Sequence, residues 1–130
     1  MKVLNEVINK RNDNANFMDK ELIKLYPNII IPKRLKGYRE TFALYMCTAK
    51  KRDLLLKYLH KNKIEAKIHY PIPLNKQKAA KNLNLNQKDF KTANDQAKSI
   101  LTLPIHQYLS KKQLKYIIQK IKNFYRKNKN

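Results

Sequence analysis

Apolar and polar positions alternate most sharply between Ile64 and Tyr70. Ile64, Ala66, Ile68 and Tyr70 interleave there with Glu65, Lys67 and His69. A period of two predicts a half-buried β-strand. Pro71 and Pro73 stop it, because proline fixes φ and has no N–H to give to a ladder. The polar pair Asn75 and Gln77 follows. A strand that ends in a Pro-x-Pro corner holds a few side chains in fixed places at little extra entropic cost, and ligand-facing groups sit at such corners. An ordinary strand exit into a loop has the same local pattern, so the residues alone leave both readings open.

Elsewhere the period is mostly helical. Leu4, Ile8, Ala15, Met18, Leu22 and Leu25 step by threes and fours, with Arg11 in the one gap, which predicts an amphipathic helix over 2–25 ended by Pro27. Asn28–Pro32 is β-prone, and 33–40 is a loop that holds the only glycine, Gly37. Thr41–Thr48 is apolar throughout, the pattern of a strand buried on both faces. A helix is expected over 49–62, with Leu55, Leu56 and Leu59 inward and Asp53 in the first turn, where its charge suits the helix dipole. A short helix is expected over 76–83. Asp89 is the expected N-cap of a helix carrying Phe90, Ala93, Ala97 and Ile100. Leu101–Ile105 is extended and broken by Pro104. Ser110 and Gln113 have the spacing of a capping box, followed by an apolar stripe of Leu114, Ile117, Ile118, Ile121 and Tyr125. The tail, 126–130, should fray. The order of elements is that of one α+β domain over 1–130: a small mixed or antiparallel sheet with helices packed on it.

The 30 Lys and Arg against nine Asp and Glu give a formal charge of +21. A charge of that size marks many nucleic-acid binders. Here the lysines are spread through every segment with Asn and Ile, and no basic motif interleaved with aromatics occurs. Cys47 is the only cysteine, so an intrachain disulfide and a cysteine-based zinc site are excluded. It sits in an apolar run as a small core residue. A single glycine excludes the Gly-rich phosphate loops of nucleotide enzymes. His60, His69 and His106 lack metal spacing; His60 is placed on a helix surface and His106 in a turn. The start of the chain is polar, unlike a signal peptide, and no apolar run approaches the roughly 20 residues that span a bilayer. The expected compartment is the cytoplasm.

Several separated motifs then agree. HYPIPLNKQ at 69–77, Asp89-Phe90, Ala93, Ala97 and LTLPIH at 101–106 resemble the C-terminal part of the DegT/DnrJ/StrS family. These are fold-type I, pyridoxal-phosphate (PLP)-dependent sugar aminotransferases. Arg52-Asp53 matches an Arg-Asp that opens the helix before the HYP strand, and Arg11–Pro32 matches more loosely. The likeness covers about residues 4–125. It implies the small C-terminal domain, which helps close the nucleotide-sugar pocket. By that likeness His69, Tyr70 and Pro71 line the substrate side, with Asn75 and Gln77 nearby. An imidazole, a phenol and amides suit sugar hydroxyls and a diphosphate. The alternative is that His69 and Tyr70 mainly hold the corner.

The departures are specific. Asn75 stands where the family usually has His, Lys91 where Pro follows Phe, and Asn94 where Glu is common. Lys63 replaces a glycine, so Asn62 or Lys63 must adopt positive φ. The family's large domain, with its Schiff-base lysine, is expected to be absent, and no lysine here matches that motif. The resemblance therefore implies part of an enzyme acting on a nucleotide-linked keto-sugar in amino-sugar or surface-polysaccharide synthesis. Such a chain is truncated, split or free-standing. By that likeness it is expected to be inactive alone and to carry no PLP by itself, with a large PLP-binding domain or chain and a family-like homodimer as its expected partners. A small basic module for nucleic acid or another polyanion is the alternative; a remnant without function is a third. Alone, the chain should expose apolar surface and self-associate.

Overall fold

The computed structural model describes residues 2–128. Helix α1, Lys2–Leu22, buries the middle of the expected stripe: Ala15, Met18 and Leu22 are fully enclosed. Full burial of a Met or Leu side chain contributes about 1.5–3 kcal/mol. The stripe fails at its start, where Leu4 is 59% exposed and the contacts to the first turns are polar, from Arg39 to Asn5 and Asn9. A 3-10 turn, Ile23–Leu25, ends the helix ahead of Pro27.

Strands β1 (Ile29–Ile30), β2 (Tyr45–Ala49) and β3 (Ile100–Leu103) form an antiparallel sheet in the order β1-β2-β3. Ile29 faces Ala49, and Cys47 faces Leu101. The expectation of a strand buried on both faces over 41–48 is corrected. β2 starts at Tyr45 and alternates: Tyr45, Cys47 and Ala49 face the core while Met46 is exposed. Phe42, at φ +46°, turns the chain before the strand can begin. Arg34 holds this turn. Its Nε and Nη2 donate to Asp19 at 3.0 and 3.1 Å, and its guanidinium lies 4.9 Å from the Phe42 ring. Tyr45 Oη also donates to Asp19; burial first, then this bond, pushes the phenol's pKa up.

Helix α2 (Arg52–Lys61) and helix α4 (Lys111–Lys127) join α1 on the core face of the sheet. Leu55 and Leu59 meet Ile117, Ile118, Ile121 and Phe124 in one cluster with the inner strand residues. The capping box is formed: Ser110 Oγ accepts from Gln113 N, and Gln113 Oε1 accepts from Ser110 N. Arg126 and Lys127 remain helical; the rest of the tail expected to fray lies outside the described residues beyond Asn128. Of the two options for the α2 exit, Lys63 takes the positive φ, at +59°.

Two further expectations change. Residues 76–83 form 3-10 turns, Leu74–Lys76 and Lys78–Leu83, instead of an α-helix, since Ala79 and Leu83 remain exposed and no apolar face is buried. Asp89 is not the N-cap of helix α3 (Lys91–Ser99). It lies inside a 3-10 turn, Gln87–Phe90, whose cap is Asn86, accepting from Lys88 N. Ile100 belongs to β3. The α+β class with helices on a small sheet holds, and the sheet is wholly antiparallel.

Candidate functional site

The segment from Ile64 to His69 is fastened at four points. Ile64 N donates to Leu59 O at 3.0 Å, which ties the segment to the end of α2. His60 Nε2 lies 2.7 Å from Ala66 O; a carbonyl only accepts, so this nitrogen carries the proton. Lys67 exchanges both backbone bonds with Thr102, at 2.9 and 2.8 Å. The His69 ring meets Thr102 Oγ1 at 3.0 Å through Nδ1. The expected strand is therefore reduced to one bridge on the outer edge of β3. Its alternation survives in the buried Ile64 and Ala66 and is lost by Tyr70, which is 73% exposed. The His69–Tyr70 peptide is cis, and the two rings stand edge to face at 5.7 Å.

A cleft of about 450 Å³ opens beside this segment. His69, Thr102 and Lys67 line one wall. Arg11, His106 and Tyr116 come from α1, the turn after β3 and α4. Lys63 adds another cation, and Glu65, the acid of the lining, is paired with Lys67 at 2.7 Å. Arg11, the polar break in the α1 stripe, is held by Gln107 Oε1 at 3.2 Å. A half-open, cation-rich cleft with imidazole and hydroxyl groups suits an anionic, hydroxyl-bearing ligand.

Of the five residues singled out in the sequence, His69 lines this cleft. Tyr70 and Pro71 project beyond it on the exposed corner. Asn75 and Gln77 line a separate shallow hollow of about 330 Å³. Asn75 is buried, and its Nδ2 donates to Gln87 Oε1 at 2.7 Å and to Asn94 Oδ1 at 3.3 Å. Gln87 Nε2 returns a bond to Asn75 O at 3.5 Å. This amide cluster fixes the corner from behind. Gln77 is exposed and donates to Ile72 O at 3.5 Å. Arg52 is buried; it donates to Asp53 and, at 2.8 Å, to Ile100 O, so it ties α2 to β3. Cys47 is buried beside Leu101 O, and burial pushes its thiol up to about 12, far from a working nucleophile. Sequence reasoning did not mark Thr102 and Arg11 for the cleft. The signal available was a hydroxyl inside an apolar strand and an arginine inside an apolar stripe.

PLP needs a lysine for its aldehyde and an acid for its ring nitrogen. No lysine is buried among the described side chains, and Glu65 is exposed and committed to Lys67. These residues do not fit the cofactor by themselves. The described residues also contain no cluster able to hold a metal ion, and no helix among them is long and apolar enough to cross a membrane.

The model of the DegT/DnrJ/EryC1/StrS aminotransferase family matches residues 1–122. A pleiotropic regulatory protein of Geobacillus stearothermophilus is 33% identical over 98 residues, which is 75% of this chain and 26% of that protein. The dTDP-3-amino-3,6-dideoxy-alpha-D-galactopyranose transaminase of Aneurinibacillus thermoaerophilus is 26% identical over the same fractions. The crystal structure of a DegT DnrJ EryC1 StrS aminotransferase from Brucella abortus superposes with a TM-score of 0.77 at 27% identity, over 91% of this chain and 31% of that one. The chain thus spans about a quarter to a third of the relatives it matches. It belongs to the DegT/DnrJ/EryC1/StrS aminotransferase family, whose members depend on pyridoxal phosphate.

Proposed function

We propose that this chain is the substrate-facing small domain of a sugar aminotransferase acting on a nucleotide-linked keto-sugar, in amino-sugar or surface-polysaccharide synthesis in the cytoplasm. The observation that carries the reading is His69, braced by Thr102 at the wall of a cation-rich cleft. In this reading His69 hydrogen-bonds the sugar, Arg11, Lys63 and Lys67 face the diphosphate, and Tyr70, Pro71 and Gln77 reach the same ligand from the corner outside the cleft. Asn75 serves from behind, through Gln87 and Asn94. The PLP lysine and the cofactor pocket belong to a large domain or companion chain, in a homodimer like those of the family.

The test is a titration of the isotope-labelled chain with a dTDP-linked sugar, followed by NMR. Saturable shifts should cluster at His69, Tyr70 and Gln77 and be lost in His69→Ala. A second reading is favoured by α4, which carries seven basic residues and no acidic one. A polyanion surface there would give shifts confined to α4 with any phosphorylated ligand, collapsing steeply as salt rises.

A further inference from the structure

We propose that Thr102 is the positioning residue for His69. Its hydroxyl donates to Nδ1, and the ring, which lines the cleft, therefore carries its proton on Nε2.

Thr102 is 6% exposed and is the best-anchored residue of the region. Its N–H and carbonyl are both bonded to Lys67, and on its other side it pairs with Met46 of β2. A β-branched side chain on a strand has few rotamers, so Oγ1 is fixed where it meets Nδ1 at 3.0 Å. A neutral imidazole has one donor and one acceptor nitrogen, and the partner of one decides the proton on the other. Two arrangements satisfy the distance. If Nδ1–H donated to the hydroxyl, the Thr102 proton would need a second acceptor. The ring nitrogen is the one partner of Oγ1 among the described residues. A buried donor without an acceptor is costly, so the hydroxyl donates and Nδ1 accepts. In the sequence Thr102 lies within Leu101-Thr102-Leu103-Pro104, and His69 opens His69-Tyr70-Pro71. The corner's histidine and the strand's hydroxyl then work as one unit, with His69 a donor for oxygen acceptors such as phosphate or sugar oxygens. That last step rests on the proposed function; the proton's position does not.

The experiment is ¹⁵N NMR of the histidine rings in the ligand-free chain, at a pH where they are neutral. In the native protein His69 should show a protonated, pyrrole-type Nε2 and a bare, imine-type Nδ1. Thr102→Val keeps the shape and removes the hydroxyl; His69 should then shift to an average of both tautomers, while His60, held by Ala66 O, stays unchanged. Thr102→Ser should restore the native pattern. A protonated Nδ1 in the native chain, or a His69 signal that is the same in Thr102→Val, would overturn the proposal. If Thr102→Val does not fold, Thr102→Ala supplies the second hydroxyl-free variant, with the same expected shift and the same overturning result. None of these outcomes bears on whether the cleft takes a nucleotide sugar, which the separate titration reads.

Discussion

Asn75 illustrates how much one side chain settles. Its amide lies between Gln87 and Asn94, so the corner that carries Tyr70, Pro71 and Gln77 is pinned to the turn before α3. Asn75→Ala removes these bonds; Gln87 is exposed and Asn94 half-buried, so water replaces the lost partner and the cost is about 0.5–1.5 kcal/mol. Urea denaturation should read that loss, and amide exchange should accelerate between residues 70 and 77 while α4 stays protected. An unchanged midpoint with unchanged exchange would show that the cluster holds nothing. The corner itself was legible, because two prolines after an alternating run admit few other structures. Its supports were not. Thr102 is 33 residues from His69 and Gln87 is 12 from Asn75, so no local pattern links them. Arg52 and Asp53 were found as a motif, but the third partner, Ile100 O, is contributed by the fold.

Among the elements, α4 and α2 followed their apolar periods because each turns one face into the common core. The segment around residue 64 and the run at 41–48 did not, for opposite reasons. The first finds a single residue to pair with on the edge of β3, and the second is interrupted by the positive φ at Phe42. Lys63 at φ +59° is a strained exit that the missing glycine made visible in advance. Lys63→Gly should stabilise the chain by about 1 kcal/mol, since a side chain in this region costs about that much. Thermal melting is the check, with Lys63→Ala as a control that gives no gain; equal midpoints for all three would remove the strain argument.

The link between α1 and α4 carries a pH signature. Glu21 accepts from Lys122 and Lys24, each at 2.6 Å, and these bonds, Lys122 first, lower its carboxyl from an ordinary 4.5 to about 2. A depressed carboxyl stabilises the fold above its unfolded value, and that stabilisation fades as pH falls from 4.5 through about 2. Glu21→Gln should flatten the decline of stability across this window and be near-neutral in slope above it. A mutant curve parallel to the native one throughout would contradict the link.

At the scale of the whole molecule, charge and apolar surface are unevenly placed. No Asp or Glu follows Asp95, while α4 presents Lys111, Lys112, Lys115, Arg126 and Lys127 to solvent. Ile30, Leu44 and Met46, and on the corner Tyr70, Ile72 and Leu74, are exposed together with the cleft's rim. The basic excess is a property of the composition and announces itself in the sequence. The open apolar positions are not so announced, because exposure is decided by what packs alongside. Relatives three to four times as long as the matched segment have further chain available to pack there.

The most direct measurement joins this chain to the remaining two-thirds of a relative, such as the Brucella abortus aminotransferase, in place of its own matching segment. The hybrid's PLP absorbance and its amino transfer to a nucleotide-linked keto-sugar are then followed. A small domain that faces the substrate should give a hybrid that binds PLP and turns over the sugar, with His69→Ala losing turnover while the PLP signal stays. A folded, PLP-loaded hybrid that neither binds nor converts any nucleotide sugar, with or without His69, would contradict the account.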